Sequence, residues 1–90
     1  MDGTPRLGHG FRFQWEPAQS CHVLLYPEGM IRLNQSAGEI LARCDGNRDI
    51  AAIVADLEQA FASPGLRPEV EAFLTMAIGK RWLRLDALTP

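Results

Sequence analysis

The chain has 90 residues, of which 47% are hydrophobic and 22% are charged, and its formal net charge is −2. This length allows one small domain and leaves no room for a second core. The slightly acidic balance argues against a protein that holds nucleic acid or a membrane surface through dense Lys and Arg. No apolar run approaches the ~20 residues that cross a bilayer and no secretory signal opens the chain, so we expect a cytoplasmic protein.

The N-terminal segment shows no hydrophobic periodicity. Residues 1–10 contain three glycines and one proline, a composition that predicts a flexible or loosely extended arm. We therefore expect a single folded domain over residues 11–85, followed by a short tail over residues 86–90.

Three β strands are predicted after the arm. Residues 11–16 alternate apolar and polar side chains, which predicts a half-buried strand with Phe11, Phe13 and Trp15 facing inward. Residues 21–26 and 29–33 form the next two strands, and Pro27-Glu28-Gly29 supplies a tight turn between them. The short connections indicate a three-stranded antiparallel sheet.

Three helices follow the strands. The first is predicted over residues 35–44, with Asn34 or Ser36 as its N-cap, and Asp49 can cap the second. Pro68 suits the first turn of the third helix. The buried face of the second helix is predicted to consist of Ile50, Ile53, Val54, Leu57 and Phe61. That of the third is predicted to consist of Val70, Phe73, Leu74, Ala77 and Ile78.

Residues 82–85 could add a short terminal strand. Strands followed by helices indicate an α+β domain, and this order suits the winged-helix type.

The reactive side chains do not form a catalytic or metal-binding pattern. Cys21 and His22 are adjacent on a predicted strand, so they point to opposite faces and cannot hold one ion together. The sequence has no Cys-x-x-Cys pair, and Gly8-His9-Gly10 precedes a strand, which is the wrong context for a phosphate-binding loop. We therefore expect no enzyme activity, no metal and no cofactor.

Three non-catalytic functions remain open from the residues alone. A winged-helix domain can bind DNA, but here Arg67, Lys80 and Arg81 are scattered at the two ends of the third helix. The third strand, if it is an edge, can accept a peptide as an additional strand. The same open edge also allows a homodimer.

Two motifs resemble the PqqD family, protein D of pyrroloquinoline quinone (PQQ) biosynthesis. They are LLYPEG over residues 24–29 and LN-x-SA-x-x-IL-x-x-CDG over residues 33–46. The similarity extends outward to Pro5-Arg6-Leu7, Gly10-Phe11-Arg12, Ile53, Leu57 and Phe73-Leu74, and thus covers most of the chain.

This resemblance implies a winged-helix peptide chaperone that is not itself an enzyme. It implies that the precursor peptide PqqA adds as a β strand to a groove between the third strand and the third helix. The peptide is then presented to PqqE, a radical S-adenosylmethionine enzyme that links a Glu to a Tyr. The residues predicted for this groove are Met30, Ile31, Arg32 and Leu33 of the strand, and Val70, Phe73, Ala77, Ile78 and Arg81 of the helix. Alternation leaves open whether Met30 and Arg32 or Ile31 and Leu33 face the groove.

One departure from the family pattern affects the end of the third helix. Family members commonly have Arg-Gly-aromatic-Leu there, whereas this chain has Lys80-Arg81-Trp82-Leu83. Arg81 therefore stands where the family has glycine.

Overall fold

A computed structural model describes residues 2–87 of the chain. The elements in chain order are β1 (Thr4–Leu7), β2 (Arg12–Glu16), β3 (Cys21–Tyr26), β4 (Gly29–Arg32), α1 (Gln35–Ala42), α2 (Ile50–Ala60), α3 (Arg67–Gly79) and β5 (Leu83–Asp86). The predicted α+β class is confirmed, while the winged-helix label stays a prediction. None of the helices in the described part is long and apolar enough to cross a membrane.

Strands β2, β3 and β4 form the predicted antiparallel sheet, with β3 in the middle. Leu24 lies opposite Phe13 on one side and Ile31 on the other, and Tyr26 pairs with Gly29 across the two-residue turn. The helices pack on the face that carries Leu24, since this side chain is fully buried in the main hydrophobic core. Because β3 lies between β2 and β4, strand β4 is an edge of the sheet.

Side-chain caps begin the first two helices. The Asn34 side chain accepts a hydrogen bond of 2.8 Å from the Ala37 N–H, which decides between the two predicted caps of α1. Asp49 accepts an equivalent bond from Ala52 and caps α2 as predicted. Helix α1 ends at Ala42 rather than at Cys44, but the Cys44 side chain stays buried.

Two aromatic residues that were predicted to be buried are exposed. Trp15 is 53% exposed because it lies on edge strand β2, where its ring meets the His22 ring in a T-shaped arrangement. Phe61 is 45% exposed because α2 ends at Ala60, so the side chain leaves the buried face of that helix. Phe11 and Phe13 do pack against the core, as predicted.

The N-terminal segment is not a flexible arm throughout. Strand β1 pairs with β5, from Thr4 opposite Asp86 to Leu7 opposite Leu83, and the Gly8 N–H donates a 2.7 Å hydrogen bond to the Trp82 carbonyl. The prediction of an arm is therefore wrong for these residues, since a partner at the far end of the chain orders them. The predicted tail begins inside β5, and residues 88–90 lie outside the described part.

Helix α3 ends in a Schellman motif centred on Arg81. The Arg81 N–H donates to the Ile78 carbonyl, and the Trp82 N–H donates to the Ala77 carbonyl. Arg81 has a φ of 66°, which lies in the left-handed region that favours glycine. The helix thus stops at the position where the family pattern has its glycine.

Candidate functional site

The outer edge of β4 presents backbone groups that β3 does not use. The Leu33 N–H donates to the His22 carbonyl at 3.0 Å, so this pair is hydrogen-bonded. Hydrogen-bonded and non-hydrogen-bonded pairs alternate along an antiparallel ladder. With the observed register, Ile31 and Gly29 therefore bond to β3, whereas the N–H and C=O groups of Met30 and Arg32 point outward.

A groove of about 670 Å³ begins where β4 ends. Its walls come from the Arg32–Leu33 end of the strand, the first turns of α1, the end of α2, the α2–α3 connection, one face of α3 and Trp82 after that helix. The segments that form the groove are held together by the hydrophobic core, in which Leu33, Leu57 and Val70 are all buried. The edge of β4 and this groove are thus continuous.

The groove is apolar inside and charged at its rim. Phe61 is 45% exposed and Met76 is 37% exposed, and both line it together with the half-buried Phe73 and Leu66. Large apolar side chains with this exposure in one concave site are typical of a surface that binds an apolar partner.

The rim carries Arg32, Glu39 and Glu69. The Arg32 guanidinium donates a 3.1 Å hydrogen bond to Gln19 Oε1 on the outer face of the sheet. Glu39 is held by Arg43, whose Nη1 lies 2.8 Å from Glu39 Oε1. The rim is therefore mixed in charge and has no basic stripe of the kind that follows a phosphate backbone.

The predicted site residues divide into three groups. Arg32, Leu33, Val70 and Phe73 line the groove, and Met30 and Ile31 lie on the adjoining strand β4. Ala77, Ile78 and Arg81 were also predicted to face the groove, but they do not line it. Ala77 is fully buried in the core, Ile78 packs against the core, and Arg81 lies in the turn after α3.

The large apolar lining residues that sequence reasoning did not assign to the groove include Phe61, Leu66, Met76 and Trp82. Phe61 and Leu66 flank the α2–α3 connection, and two large apolar residues beside a Ser-Pro-Gly loop are the signal that could have identified them. Met76 gives no such signal, since it differs from the buried apolar residues of α3 only by its angular position on the helix.

The described residues offer little for catalysis. No group of three or more His, Cys, Asp or Glu side chains within residues 2–87 lies close enough to hold a metal ion. Both cysteines are free thiols. Burial, with a smaller contribution from the nearby Asp45 carboxylate, raises the pKa of Cys44 to about 12, so this thiol stays protonated and unreactive at neutral pH.

Comparison with known proteins identifies the family. The family model described as coenzyme PQQ synthesis protein D (PqqD) matches residues 21–83. A PqqA binding protein of Pseudomonas aeruginosa is 57% identical over 87 residues, which cover 96% of this chain and 95% of that protein. A PqqA binding protein of Azotobacter vinelandii is 55% identical over 94% of this chain and 94% of its own length.

A solved structure agrees with these relatives. It is the solution NMR structure of the PqqD truncation of Methylobacterium extorquens PqqCD, described as a functional, stand-alone recognition element for ribosomally synthesized and post-translationally modified peptides. The TM-score is 0.68 at 32% identity, and the match covers 89% of this chain and 87% of that one. From its sequence and its fold together, the chain belongs to the PqqD family of coenzyme PQQ synthesis proteins.

Proposed function

We propose that this chain is a precursor-peptide recognition element of PQQ biosynthesis, and that it binds PqqA by adding it to β4 as a further strand. The relatives that are named PqqA binding proteins support the choice of ligand. The observation that carries the proposal is the edge of β4, where the outward backbone groups of Met30 and Arg32 adjoin an apolar groove. Main-chain hydrogen bonds would supply affinity there, and the groove would supply specificity.

The chain acts without chemistry of its own in this proposal. Its groove offers backbone groups and apolar side chains, which hold an extended peptide but do not transform it. We propose that it presents PqqA to the radical S-adenosylmethionine enzyme PqqE in the cytoplasm.

Proline substitution on β4 tests strand addition. In Met30→Pro and Arg32→Pro the lost N–H is one that faces outward, so the sheet is kept while the bond to PqqA is removed. We expect each variant to bind PqqA roughly 10-fold more weakly than the wild type, because a hydrogen bond is lost and the proline ring obstructs the incoming strand. Isothermal titration with synthetic PqqA measures the change.

Alanine at the same positions is the matched control, since Met30→Ala and Arg32→Ala keep the N–H. Proline variants that stay folded and bind PqqA as tightly as their alanine counterparts would show that strand addition at β4 is wrong. The same variants should slow cross-linking of PqqA by PqqE in proportion to their lost affinity. Proline at Ile31 would be uninformative, because that N–H faces β3 and its loss damages the sheet itself.

The proposal gives nucleic acid no role. Of the basic residues around α3, Arg67 is paired with Glu71 at 2.8 Å, and Arg81 lies in the turn that ends the helix.

A homodimer through β4 would occupy the edge that PqqA needs. Sedimentation with and without PqqA tests this alternative, because a dimer of that kind must dissociate as the peptide binds.

A further inference from the structure

We infer that the groove selects a large apolar side chain of the bound peptide, carried by the peptide residue opposite Leu33, and that Phe61 and Met76 determine this specificity. The inference rests on the proposed strand addition at β4. It goes further by assigning a residue class to one position of the peptide and two side chains of this protein to its recognition.

The register of β4 determines which peptide side chains face the groove. Leu33 and Ile31 project toward the helices, as their contacts with the core show, while Arg32 projects to the outer face and reaches Gln19. Side chains directly opposite each other on neighbouring strands lie on the same face of a sheet. Peptide residues opposite Ile31 and Leu33 must therefore project toward the helices, and the residue between them must project away.

The position of the groove distinguishes these two peptide residues. The groove is lined by Leu33 and by the α1 residues that follow it, but not by Ile31. A side chain opposite Leu33 therefore enters the groove directly. One opposite Ile31 lies about 7 Å away, at the spacing of alternate residues in a strand.

The lining determines what kind of side chain is accepted. Phe61 and Met76 are two of the four large apolar side chains in the described part that are exposed, and both lie in this groove. They come from different elements, since Phe61 directly follows α2 and Met76 lies in the last turn of α3. An apolar side chain placed between them would remove both from water, whereas a polar or charged one would lose its own hydration without gaining a hydrogen-bonding partner there.

Double-mutant cycles between the protein and PqqA test the inference. Synthetic PqqA and its single-alanine variants are titrated against the wild type, Phe61→Ala and Met76→Ala. Trp15→Ala is the matched control, since Trp15 is a large side chain outside the groove that is at least as exposed as the two targets. Both target side chains are exposed, so the variants should fold, and their amide NMR spectra verify this.

We expect Phe61→Ala and Met76→Ala each to weaken PqqA binding by roughly 5- to 30-fold, while Trp15→Ala leaves it unchanged. One apolar position of PqqA should lose its own contribution in both groove variants, which is the signature of direct contact. Restoring size with Phe61→Leu should recover most of the affinity.

Two results would overturn the inference in distinguishable ways. If Phe61→Ala and Met76→Ala bind as tightly as Trp15→Ala while the β4 proline variants remain weak, the peptide adds to the strand but does not use the groove. If the wild type binds no PqqA, the proposed function falls together with this inference.

Discussion

At the scale of single residues, one of the three non-glycine residues with a positive φ in the described part is instructive. Arg81 adopts a left-handed conformation so that the turn after α3 can satisfy the carbonyls of Ala77 and Ile78. A side chain with a Cβ is strained there by roughly 1–2 kcal/mol relative to glycine. The turn forms despite this, because two hydrogen bonds and the burial of Leu83 depend on it.

Arg81→Gly should therefore stabilise the protein. Relief of the strain exceeds the extra backbone entropy that glycine gains in the unfolded chain, and we expect the free energy of unfolding to rise by about 0.5–1 kcal/mol. Urea denaturation measures it as a higher midpoint with an unchanged slope.

The neighbouring residue provides the control. Lys80 has a φ of −88°, so it carries no such strain, and Lys80→Gly should lower the stability by a few tenths to 1 kcal/mol. If both substitutions destabilise the fold, the left-handed turn does not exist in solution as described.

The sequence predicts which way a side chain points, but it does not predict whether that side chain is buried. Alternation placed Phe13 and Trp15 on one face of β2, but whether a helix covers that face depends on the packing of remote elements, and Trp15 remains uncovered. Helical spacing likewise put Phe61 on the buried side of α2, although the helix ends just before it. The local sequence pattern determines the face of a strand or helix on which a side chain lies, whereas its burial depends on how all the elements pack together.

At the scale of elements, α1 and α2 are joined by an ionic clamp. Arg43, at the end of α1, donates to the Glu39 carbonyl and carboxylate and to the Asp56 carboxylate on α2. Burial lowers the pKa of Arg43, but its hydrogen bonds with Glu39 and Asp56 outweigh this effect and raise the pKa overall. The hydrogen bond from Arg43, reinforced by the charges of Arg43 and Arg48, holds the pKa of Asp56 below its usual range.

This clamp makes the join between α1 and α2 sensitive to acid. Because the pKa of Asp56 is lower in the folded state, its stabilising contribution is complete above its unfolded pKa of about 3.9 and is lost as the pH falls through the folded value. Asp56→Asn should therefore be less stable than the wild type at pH 7, and the difference should narrow below about pH 4. Urea midpoints at several pH values measure this.

Glu28→Gln serves as the control for this titration, since Glu28 lies on the exposed β3–β4 turn. Its urea midpoint at pH 7 should match that of the wild type. A constant gap between Asp56→Asn and the wild type from pH 7 to pH 3 would contradict the clamp.

A helix or strand could be predicted from the sequence when the residues that stabilise it lie nearby in the chain. Strands β2 to β4 and all three helices were predicted, because alternation, turn residues and caps such as Asp49 act over a few residues. Strand β1 was missed, since TPRL carries no periodic signal and its order comes from pairing with β5. That β4 could be an edge strand was open to prediction from the sequence, whereas the groove needs three helices in their final arrangement.

At the scale of the whole molecule, the β1–β5 pair joins the two ends of the described chain. Gly8 is the tightest point of this junction, because a Cβ there would lie 2.2 Å from the Arg81 carbonyl oxygen. Backbone atoms cannot yield to such a contact without displacing the strand pair.

Gly8→Ala should consequently loosen the junction, and we expect a loss of roughly 1–3 kcal/mol. Hydrogen exchange should show faster exchange of the amides in β1 and β5. The matched control is Gly79→Ala, where a Cβ meets nothing within 4 Å and helix propensity favours alanine by up to about 1 kcal/mol. Unchanged protection of β1 in Gly8→Ala would argue that this strand is not docked as described.

The pairing of Thr4 with Asp86 also has a consequence for engineering. Paired strands lie about 5 Å apart, so a short linker could join the two ends of the described fold without strain. A circularly permuted chain, or one spliced into a loop of a host protein, should then keep its architecture. Because no residue of β1 or β5 lines the groove, such a domain could be transplanted as one unit with the groove still open.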